Sequence, residues 1–317
     1  MENLIRIFRH RQAAGFTFEE TVSQVQERFT IADGFLAWKA AEILNRPYVP
    51  DYRDLPEDRN TLRKLLDGVL LGPSVQEHLE KMQRQGVLAK LFPEVQAMVG
   101  FGGKGHKDLW KHTKQVVDQC PEKVALRWAA LFHDVGKVVT YAKVRGKVTF
   151  HQHEAASARL FNKAARRTRL FSDSERKEIF SLIRHLGYVE GYSSEWSESA
   201  VRRVYREVTP GYFDDLLDLS KADITTRYES KRAAHYERIE SFRARAHQLA
   251  FEDARPAPLP KGLGTVVSKT FGIPESPALG DIMKRLIELV RAGELPIQGP
   301  AEDYTAFIKD HPELLNK

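Results

Sequence analysis

The sequence predicts an all-α protein, and three observations support that expectation. Apolar residues recur at helical spacing through most of the 317-residue chain, as in residues 62–70. Breaks rich in glycine and proline separate these stripes. The alternation typical of strands is confined to residues 141–150, where Gly146 favours a short hairpin or an extended loop. We therefore expect a helical bundle with additional helical units and one short β-hairpin.

The first predicted helical region covers residues 16–44, and Thr17 and Glu20 have the spacing of a capping box at its start. Prolines and aspartates over residues 47–56 break the pattern. A second helical block follows, in which Ser74 is expected to cap the helix that begins at the next residue.

The glycine-rich segment 100–107 has the composition of a loop, but it lacks the spacing of a P-loop. Helical patterns then run over residues 108–249, a proline-rich linker is expected at 256–260, and a further helix is expected at 278–292. These breaks divide the chain into three regions: an N-terminal helical region (1–95), a central domain (96–254) and a C-terminal helical region (255–317).

Composition limits the classes of partner and compartment. The net charge is +6, with an isoelectric point near 9.2, and this balance favours an anionic partner such as RNA or a nucleotide. Cys120 is the one cysteine, so no internal disulfide can form. No apolar run is long enough to span a bilayer, and the first eleven residues lack the apolar region typical of a signal peptide. We expect a cytoplasmic protein that does not enter a membrane; the sequence leaves its oligomeric state open.

An adjacent histidine and aspartate lie in the most apolar helical stretch of the chain. His133 and Asp134 follow the segment RWAALF, and Lys137 lies three residues after the aspartate. A helix that is apolar on nearly every side is buried, and burying an imidazole and a carboxylate is costly unless each has a partner or binds a metal. The pair therefore predicts a metal site.

Further histidines and carboxylates lie at or near the ends of other apolar helical stretches. Helices packed in a bundle can direct such side chains to one point, and imidazole with carboxylate ligands suits divalent metals. The candidates from these stretches are His112, His153, His185 and Asp223.

The order H…HD…H…H…D resembles the HD-domain superfamily of metal-dependent phosphohydrolases. The resemblance implies two divalent ions, of Mn, Mg, Ni, Co, Fe or Zn. The ligands of the first ion would be His112, His133, Asp134 and Asp223. Asp134 would also bridge to a second ion supported by His153 and His185.

The resemblance extends to the HD domain and C-terminal helical part of bacterial tRNA CCA-adding enzymes, over about residues 61–295. Two features depart from those patterns. Leu186 stands where the superfamily often has another histidine, and Gly187-Tyr188-Val189 is not the G-Y-P signature of cyclic-di-GMP phosphodiesterases. The first 100 residues lack the paired carboxylates of a nucleotidyltransferase, so we do not expect nucleotide addition.

These features predict a metal-dependent phosphodiesterase or phosphatase. Asp134 and Lys137 are the expected catalytic residues. The expected phosphate-binding residues are Lys137, Arg166, Arg167 and Arg184. The resemblance implies action on 2′-, 3′- or 2′,3′-cyclic phosphate ends of RNA or nucleotides. Two alternatives stay open: a hydrolase of small nucleotides or of cyclic or oligonucleotide signals, and a non-catalytic RNA-binding helical module.

Overall fold

A computed structural model describes most of the chain after residue 55 and a few short segments before it. The described residues are 10–11, 13–17, 20–21, 52–53, 55–102, 108–208, 210–254 and 256–315. The chain forms two compact units, Met1–Ala246 and His247–Lys317. The division into three regions stays a prediction.

The all-α class is confirmed, with one two-stranded hairpin. The capping box near the N-terminus is also confirmed. The amide of Thr17 donates to Glu20 Oε2 at 2.8 Å, and the amide of Glu20 donates to Thr17 Oγ1 at 3.1 Å. Most of the helix expected to follow, together with residues 103–107 of the glycine-rich loop, lies outside the described residues.

The second helical block contains two longer helices and two short ones. They are α1 (Arg59–Leu71), α2 (Val75–Arg84), α3 (Val87–Leu91) and α4 (Pro93–Gln96). Asp58 caps α1 by accepting a hydrogen bond from the amide of Thr61. The capping role predicted for Ser74 is wrong. That residue has a φ of 54°, and its carbonyl rather than its side chain accepts from the first turn of α2.

The central part of the chain begins with helices that surround the His-Asp pair. They are α5 (Leu109–Gln119), α6 (Val124–Phe132) and the short α7 (Lys137–Thr140). The antiparallel hairpin follows, with strands β1 (Ala142–Val144) and β2 (Lys147–Thr149) in a register that pairs Lys143 with Val148.

Longer helices complete the first unit. They are α8 (His153–Thr168), α9 (Asp173–Glu190), α10 (Glu198–Glu207), α11 (Phe213–Asp223) and α12 (Glu229–Ala254), and the last extends past the boundary of the unit. Helix α6 packs against α1, α5, α9 and α11, and α8 packs closely on α9. The C-terminal end of α6 therefore lies among helices that can supply ligands from several sides.

Aromatic side chains fill the core beneath this point. Trp128 and Phe132, on α6, make edge-to-face contacts with Phe92, with ring centroids 5.5 Å apart in each case. The ring of Phe132 also contacts that of Phe161, and the ring of Phe161 contacts that of Phe171, with centroids 5.3 Å apart in both pairs. Such pairs add about 1 kcal/mol each beyond burial and hold α6 in a fixed position.

Arg127 is a buried cation that donates to backbone carbonyls within the described part of the chain. It donates to the carbonyl of Cys120 at 3.0 and 3.1 Å and to that of Leu70 at 2.5 Å. These acceptors lie at the ends of α5 and α1, so Arg127 ties both helix ends to α6. Burial also raises the pKa of the Cys120 thiol to about 12, so this thiol stays protonated.

The buried His78 predicts an acid-sensitive contribution to stability. Burial, with a smaller effect of Lys81, lowers the pKa of His78 to about 4, and its Nδ1 is hydrogen-bonded to the Tyr52 hydroxyl. Above pH 6.5 this contribution is complete. As the pH falls from 6.5 towards 4 the unfolded chain takes up a proton that the folded chain does not, and about 3 kcal/mol is lost.

In a His78→Asn variant, the amide oxygen can accept from Tyr52 but cannot titrate. We expect the free energy of unfolding of this variant, measured with denaturant, to fall less between pH 6.5 and 4 than that of the unmodified protein. Equal slopes in the two proteins would show that His78 is not the titrating group.

The second unit has its own apolar core. Its helices are α13 (Leu263–Phe271), α14 (Pro277–Ala292) and α15 (Ala301–Asp310), and α14 confirms the helix predicted over residues 278–292. Val267, Leu286, Tyr304 and Ile308 are buried in that core. Across the described residues, no helix is both long enough and apolar enough to cross a membrane.

Candidate metal centre

Three helix ends bring two imidazoles and two carboxylates together. His112 lies on α5, His133 and Asp134 follow α6, and Asp223 is the last residue of α11. His112 Nε2 lies 2.8 Å from Asp223 Oδ1 and 3.6 Å from Asp134 Oδ2. His133 Nε2 lies 3.3 Å from each of the same two oxygens. One ligand atom from each of His112, His133 and Asp223 lies within 4.8 Å of the others, close enough to bind one ion.

The protein fixes the orientation of each imidazole through its other nitrogen. His112 Nδ1 is 3.1 Å from Thr225 Oγ1, and His133 Nδ1 is 2.7 Å from the carbonyl of Ala130. When Nδ1–H donates to a protein oxygen, Nε2 is the nitrogen that faces the cluster and is left to bind a metal. Both histidines therefore have the support that metal-binding histidines usually have.

Buried polar atoms in this cluster lack hydrogen bonds from the described part of the chain. They are His133 Nε2, Asp134 Oδ1 and Asp223 Oδ1. Burial alone lowers the pKa of His133, but the carboxylates of Asp134 and Asp223 raise it to about 10. Their negative potential thus favours a cation at Nε2, and a divalent ion fits this set of imidazole and carboxylate donors.

Lys137 contacts Asp134 at the same oxygen, Oδ2, that faces His112 and His133. Its Nζ lies 2.7 Å from Asp134 Oδ2. Burial lowers the pKa of Lys137, but Asp134, Asp223 and Glu190 together raise it above its ordinary value. The ammonium therefore stays charged at neutral pH. Its side chain is 23% exposed, against 1% for Asp134, so Lys137 is more accessible to solvent than the carboxylate it contacts.

His153 lies next to this cluster, at the start of α8. Its Nε2 lies 3.6 Å from Asp134 Oδ1, and its Nδ1 is hydrogen-bonded to the carbonyl of Phe150 at 3.1 Å. Burial lowers the pKa of His153 against the opposing effect of Asp134, so the imidazole is neutral, which is the ligand form. Asp134 thus lies between His153 on one side and the other two histidines on the other.

His185 lies on α9, outside the contacts that join the other candidates. Its Nδ1 is 3.1 Å from Ser181 Oγ, and its ring stacks on Tyr188 with centroids 5.5 Å apart. Burial lowers its pKa, so this imidazole is also neutral. The neighbouring Arg184 is exposed. A second ion held by His153 and His185 stays a prediction.

The two arginines of α8 that were predicted to bind phosphate differ in their surroundings. Arg167 forms a two-pronged ion pair with Glu94, at 2.6 and 2.8 Å, and also donates to the carbonyl of Leu91. This pairing joins α8 to α4, and it occupies donors of the guanidinium that a phosphate would otherwise accept from. Arg166 is exposed, and its charge, after the larger effect of Arg176, helps to lower the pKa of Asp173. Their roles in phosphate binding stay predictions.

Sequence reasoning missed the contacts that three residues make around the cluster. Thr225 orients His112, and Glu154 places Oε2 3.5 Å from His153 Nδ1. Gly136 allows a close approach, because a Cβ there would lie 2.2 Å from the carbonyl oxygen of His153 and 2.5 Å from the amide nitrogen of Ser157. The glycine in the H-D-x-G-K spacing was the signal that could have identified the last of these.

Comparison with known proteins agrees with this geometry. The HD domain family model matches residues 109–225, which include every candidate ligand. The chain is 26% identical over 264 residues to the A-adding tRNA nucleotidyltransferase of Deinococcus radiodurans, covering 78% of this chain and 57% of that protein. It is 29% identical over 268 residues to the CC-adding tRNA nucleotidyltransferase of Thermus thermophilus, covering 79% and 56%. The chain thus spans just over half the length of these curated relatives.

Proposed function

We propose that this chain, which contains an HD domain and is distantly related to CCA-adding tRNA nucleotidyltransferases, is a metal-dependent phosphohydrolase that acts on RNA ends. The observation that carries the proposal is the convergence of His112, His133 and Asp223 on one point, with buried ligand atoms that lack hydrogen bonds from the described residues. Burying polar atoms without hydrogen bonds costs free energy, so we expect a bound cation to be their partner.

His112, His133, Asp134 and Asp223 would hold the first ion, and His153 and His185 would support a second beside Asp134. Divalent ions supply a Lewis acid for phosphoryl oxygens and lower the pKa of water. The residues of the chain then have separate tasks. Thr225 and the carbonyl of Ala130 orient the imidazoles, and the core around α6 keeps the buried side of the site dry.

Lys137 would bind the substrate phosphate. Its ammonium lies 2.7 Å from Asp134 on a partly exposed side chain, and it can turn to a non-bridging oxygen of an arriving phosphoryl group. There it would stabilise the negative charge that grows in the transition state, or protonate the leaving oxygen. Arg166 and Arg184 are exposed cations that could bind phosphates further along the substrate.

The substrate class we favour is RNA that ends in a phosphate monoester or a 2′,3′-cyclic phosphate. The names of the curated relatives refer to tRNA, and the net charge of +6 suits a polyanion. The alternatives are hydrolysis of small nucleotides or nucleotide signals, and RNA binding without catalysis. The cluster of candidate metal ligands argues against RNA binding without catalysis, because binding alone needs no such cluster.

Substituting Lys137 separates metal binding from catalysis. We expect Lys137→Gln to lower kcat by about 100-fold, because one charge-stabilising donor is lost, while the Kd for Mn²⁺ stays the same or falls, because a positive charge beside Asp134 is removed. Turnover of bis-p-nitrophenyl phosphate and calorimetric titration with Mn²⁺ measure the two quantities. Lys177→Gln, an exposed lysine on α9, is the matched control. If the two variants retain the same kcat, Lys137 has no catalytic role.

The proposed function is tested by a metal-supplemented substrate screen. The full chain is assayed with Mn²⁺, Mg²⁺, Ni²⁺, Co²⁺, Fe²⁺ or Zn²⁺ on RNA and mononucleotides that carry 2′-, 3′- or 2′,3′-cyclic phosphates. We expect hydrolysis of at least one class of RNA end, and loss of that activity with EDTA. A chain that binds metal but hydrolyses none of these ends, nor bis-p-nitrophenyl phosphate, would contradict the proposal.

A further inference from the structure

The hairpin that follows Lys137 is basic and exposed. We define the hairpin surface as residues 139–150. Between Lys137 and Gln152 the sequence has no acidic residue, but it has three cations on the hairpin, at Lys143, Arg145 and Lys147. All three are exposed, and none forms an ion pair or hydrogen bond within the described part of the chain. Elsewhere many cations have partners, as Arg202 has in Glu198. The hairpin surface therefore has positive charge available for an anionic partner.

Apolar side chains lie exposed among these cations. Tyr141 is 49% exposed, Val144 is 50% exposed and Val139 is 64% exposed. The Tyr141 ring packs against the rings of Phe101 and Phe150, with centroids 6.0 Å apart in both cases, and these contacts restrict its rotamers. The chain thus holds one aromatic ring in place with part of its surface open to solvent.

The residue at the first position of the hairpin turn is not one that favours the backbone conformation there. Arg145 and Gly146 have φ values of 49° and 79°, the left-handed pair of a two-residue turn. Asparagine followed by glycine is the preferred sequence for such a turn, and a side chain like that of arginine rarely adopts this conformation. The arginine at the tip therefore stores local backbone strain, a feature that often marks functional sites.

The aromatic contacts connect the hairpin surface to the metal centre. The carbonyl of Phe150 is hydrogen-bonded to His153 Nδ1, and the carbonyl of Phe101 accepts from the amide of Leu109, at the start of the helix that carries His112. Tyr141 follows α7, which begins at Lys137. A chain bound on the hairpin surface therefore lies beside the segments that supply the metal ligands.

We infer that the hairpin surface binds the single-stranded RNA that leads to the reacting end, with a base stacked on Tyr141 and phosphates on Lys143, Arg145 and Lys147. This inference rests on the proposed function and identifies its substrate as a polynucleotide rather than a small nucleotide. Single strands are bound by basic surfaces that also offer aromatic rings, because their unpaired bases are free to stack. A double helix presents phosphates but no such base.

The test measures RNA binding without turnover. The metal-loaded full chain is titrated into a fluorescently labelled single-stranded RNA of about 12 nucleotides with a 3′-hydroxyl end, which lacks the scissile phosphate. For a triple variant, Lys143→Gln with Arg145→Asn and Lys147→Gln, we expect the Kd to rise at least about tenfold and the slope of log Kd against log salt to fall by about 2. A control triple removes the same charge at the exposed Lys90, Lys177 and Lys309, and we expect it to change the Kd less than twofold.

Two further variants separate charge, stacking and folding. We expect Tyr141→Leu to weaken binding about tenfold with little change in the salt slope. We expect Arg145→Asn to weaken binding while the Tm stays the same or rises, because asparagine suits the turn. Equal losses in the hairpin and control triples, or an unchanged Kd in the hairpin triple, would overturn the inference. Equal affinity for double-stranded RNA, or an unaffected Tyr141→Leu variant, would overturn its single-strand part.

Hydrolysis is the independent readout. The hairpin triple should keep the unmodified turnover of bis-p-nitrophenyl phosphate and of a mononucleoside 2′,3′-cyclic phosphate, while KM for RNA ends rises. A parallel loss on the small substrates would overturn the inference, because the hairpin would then be acting on the metal centre. If no substrate is hydrolysed by the unmodified chain, the proposed function fails, and the binding data still decide the role of the hairpin surface.

Discussion

Asp134→Asn is expected to abolish metal-dependent turnover, with a fall in kcat of about 1,000-fold or more. Asp134 lies between both sets of candidate ligands: its Oδ2 faces His112, His133 and Lys137, and its Oδ1 faces His153. Asparagine keeps the size of the side chain but removes the charge that would join two ions and balance the Lys137 ammonium. Steady-state hydrolysis of bis-p-nitrophenyl phosphate with Mn²⁺ measures the effect.

The control for this substitution is Asp118→Asn. Asp118 is an exposed carboxylate on α5, the helix that carries His112, and its partner is Gln76. The control should keep its full kcat and, without metal, the Tm of the unmodified protein. Asp134→Asn loses the charge that pairs with Lys137, so we expect its Tm to be lower and its kcat is measured below that temperature. If Asp134→Asn folds normally and keeps its kcat within threefold, the proposed role of Asp134 is wrong.

Gly136→Ala is expected to have the second large effect, on folding and activity together. A Cβ at this position would meet the carbonyl oxygen of His153 at 2.2 Å and the amide nitrogen of Ser157 at 2.5 Å. These are backbone atoms, which cannot turn aside, so the turn after Asp134 and the start of α8 must separate. We expect a loss of about 3 kcal/mol or more in the free energy of unfolding, measured with denaturant, and at least about a 100-fold loss of kcat.

Gly211→Ala is the matched control in the same compact unit. A Cβ at Gly211 has no neighbour within 4 Å, and its φ lies outside the left-handed region, so both stability and kcat should change little. Equal stability of the two variants would show that α8 can move from the turn without cost. A stable Gly136→Ala variant with normal kcat would show that this close packing does not position the site.

Local pattern was enough to predict much of the fold and the candidate ligands. The apolar stripes of α1 and α14 face the cores in which the structure buries them, and the alternation around Gly146 became the hairpin. The His-Asp pair follows the apolar helix α6, so its burial could be expected. His112 and Asp223 could be expected near it because both lie at polar positions of helices with one apolar face.

Tertiary geometry was not available from the same patterns. Arg167 pairs with Glu94, which lies 73 positions earlier, and no local periodicity shows which surface cation meets a distant carboxylate. Ser74 has the residue type of a cap but a left-handed backbone, so its hydroxyl does not reach the helix. Thr225 orients His112 across 113 positions, a contact that depends on how α5 and α11 pack.

The proposed function requires one metal centre held by His112, His133 and Asp223, and X-ray diffraction from crystals grown with Mn²⁺ tests this most directly. An anomalous difference map should show a peak about 2.0 to 2.3 Å from His112 Nε2, His133 Nε2 and Asp223 Oδ1. Crystals of a His133→Ala variant, grown with the same metal, should lack that peak. Saturated crystals of the unmodified protein that show no peak at these atoms, or show one only elsewhere, would contradict the account.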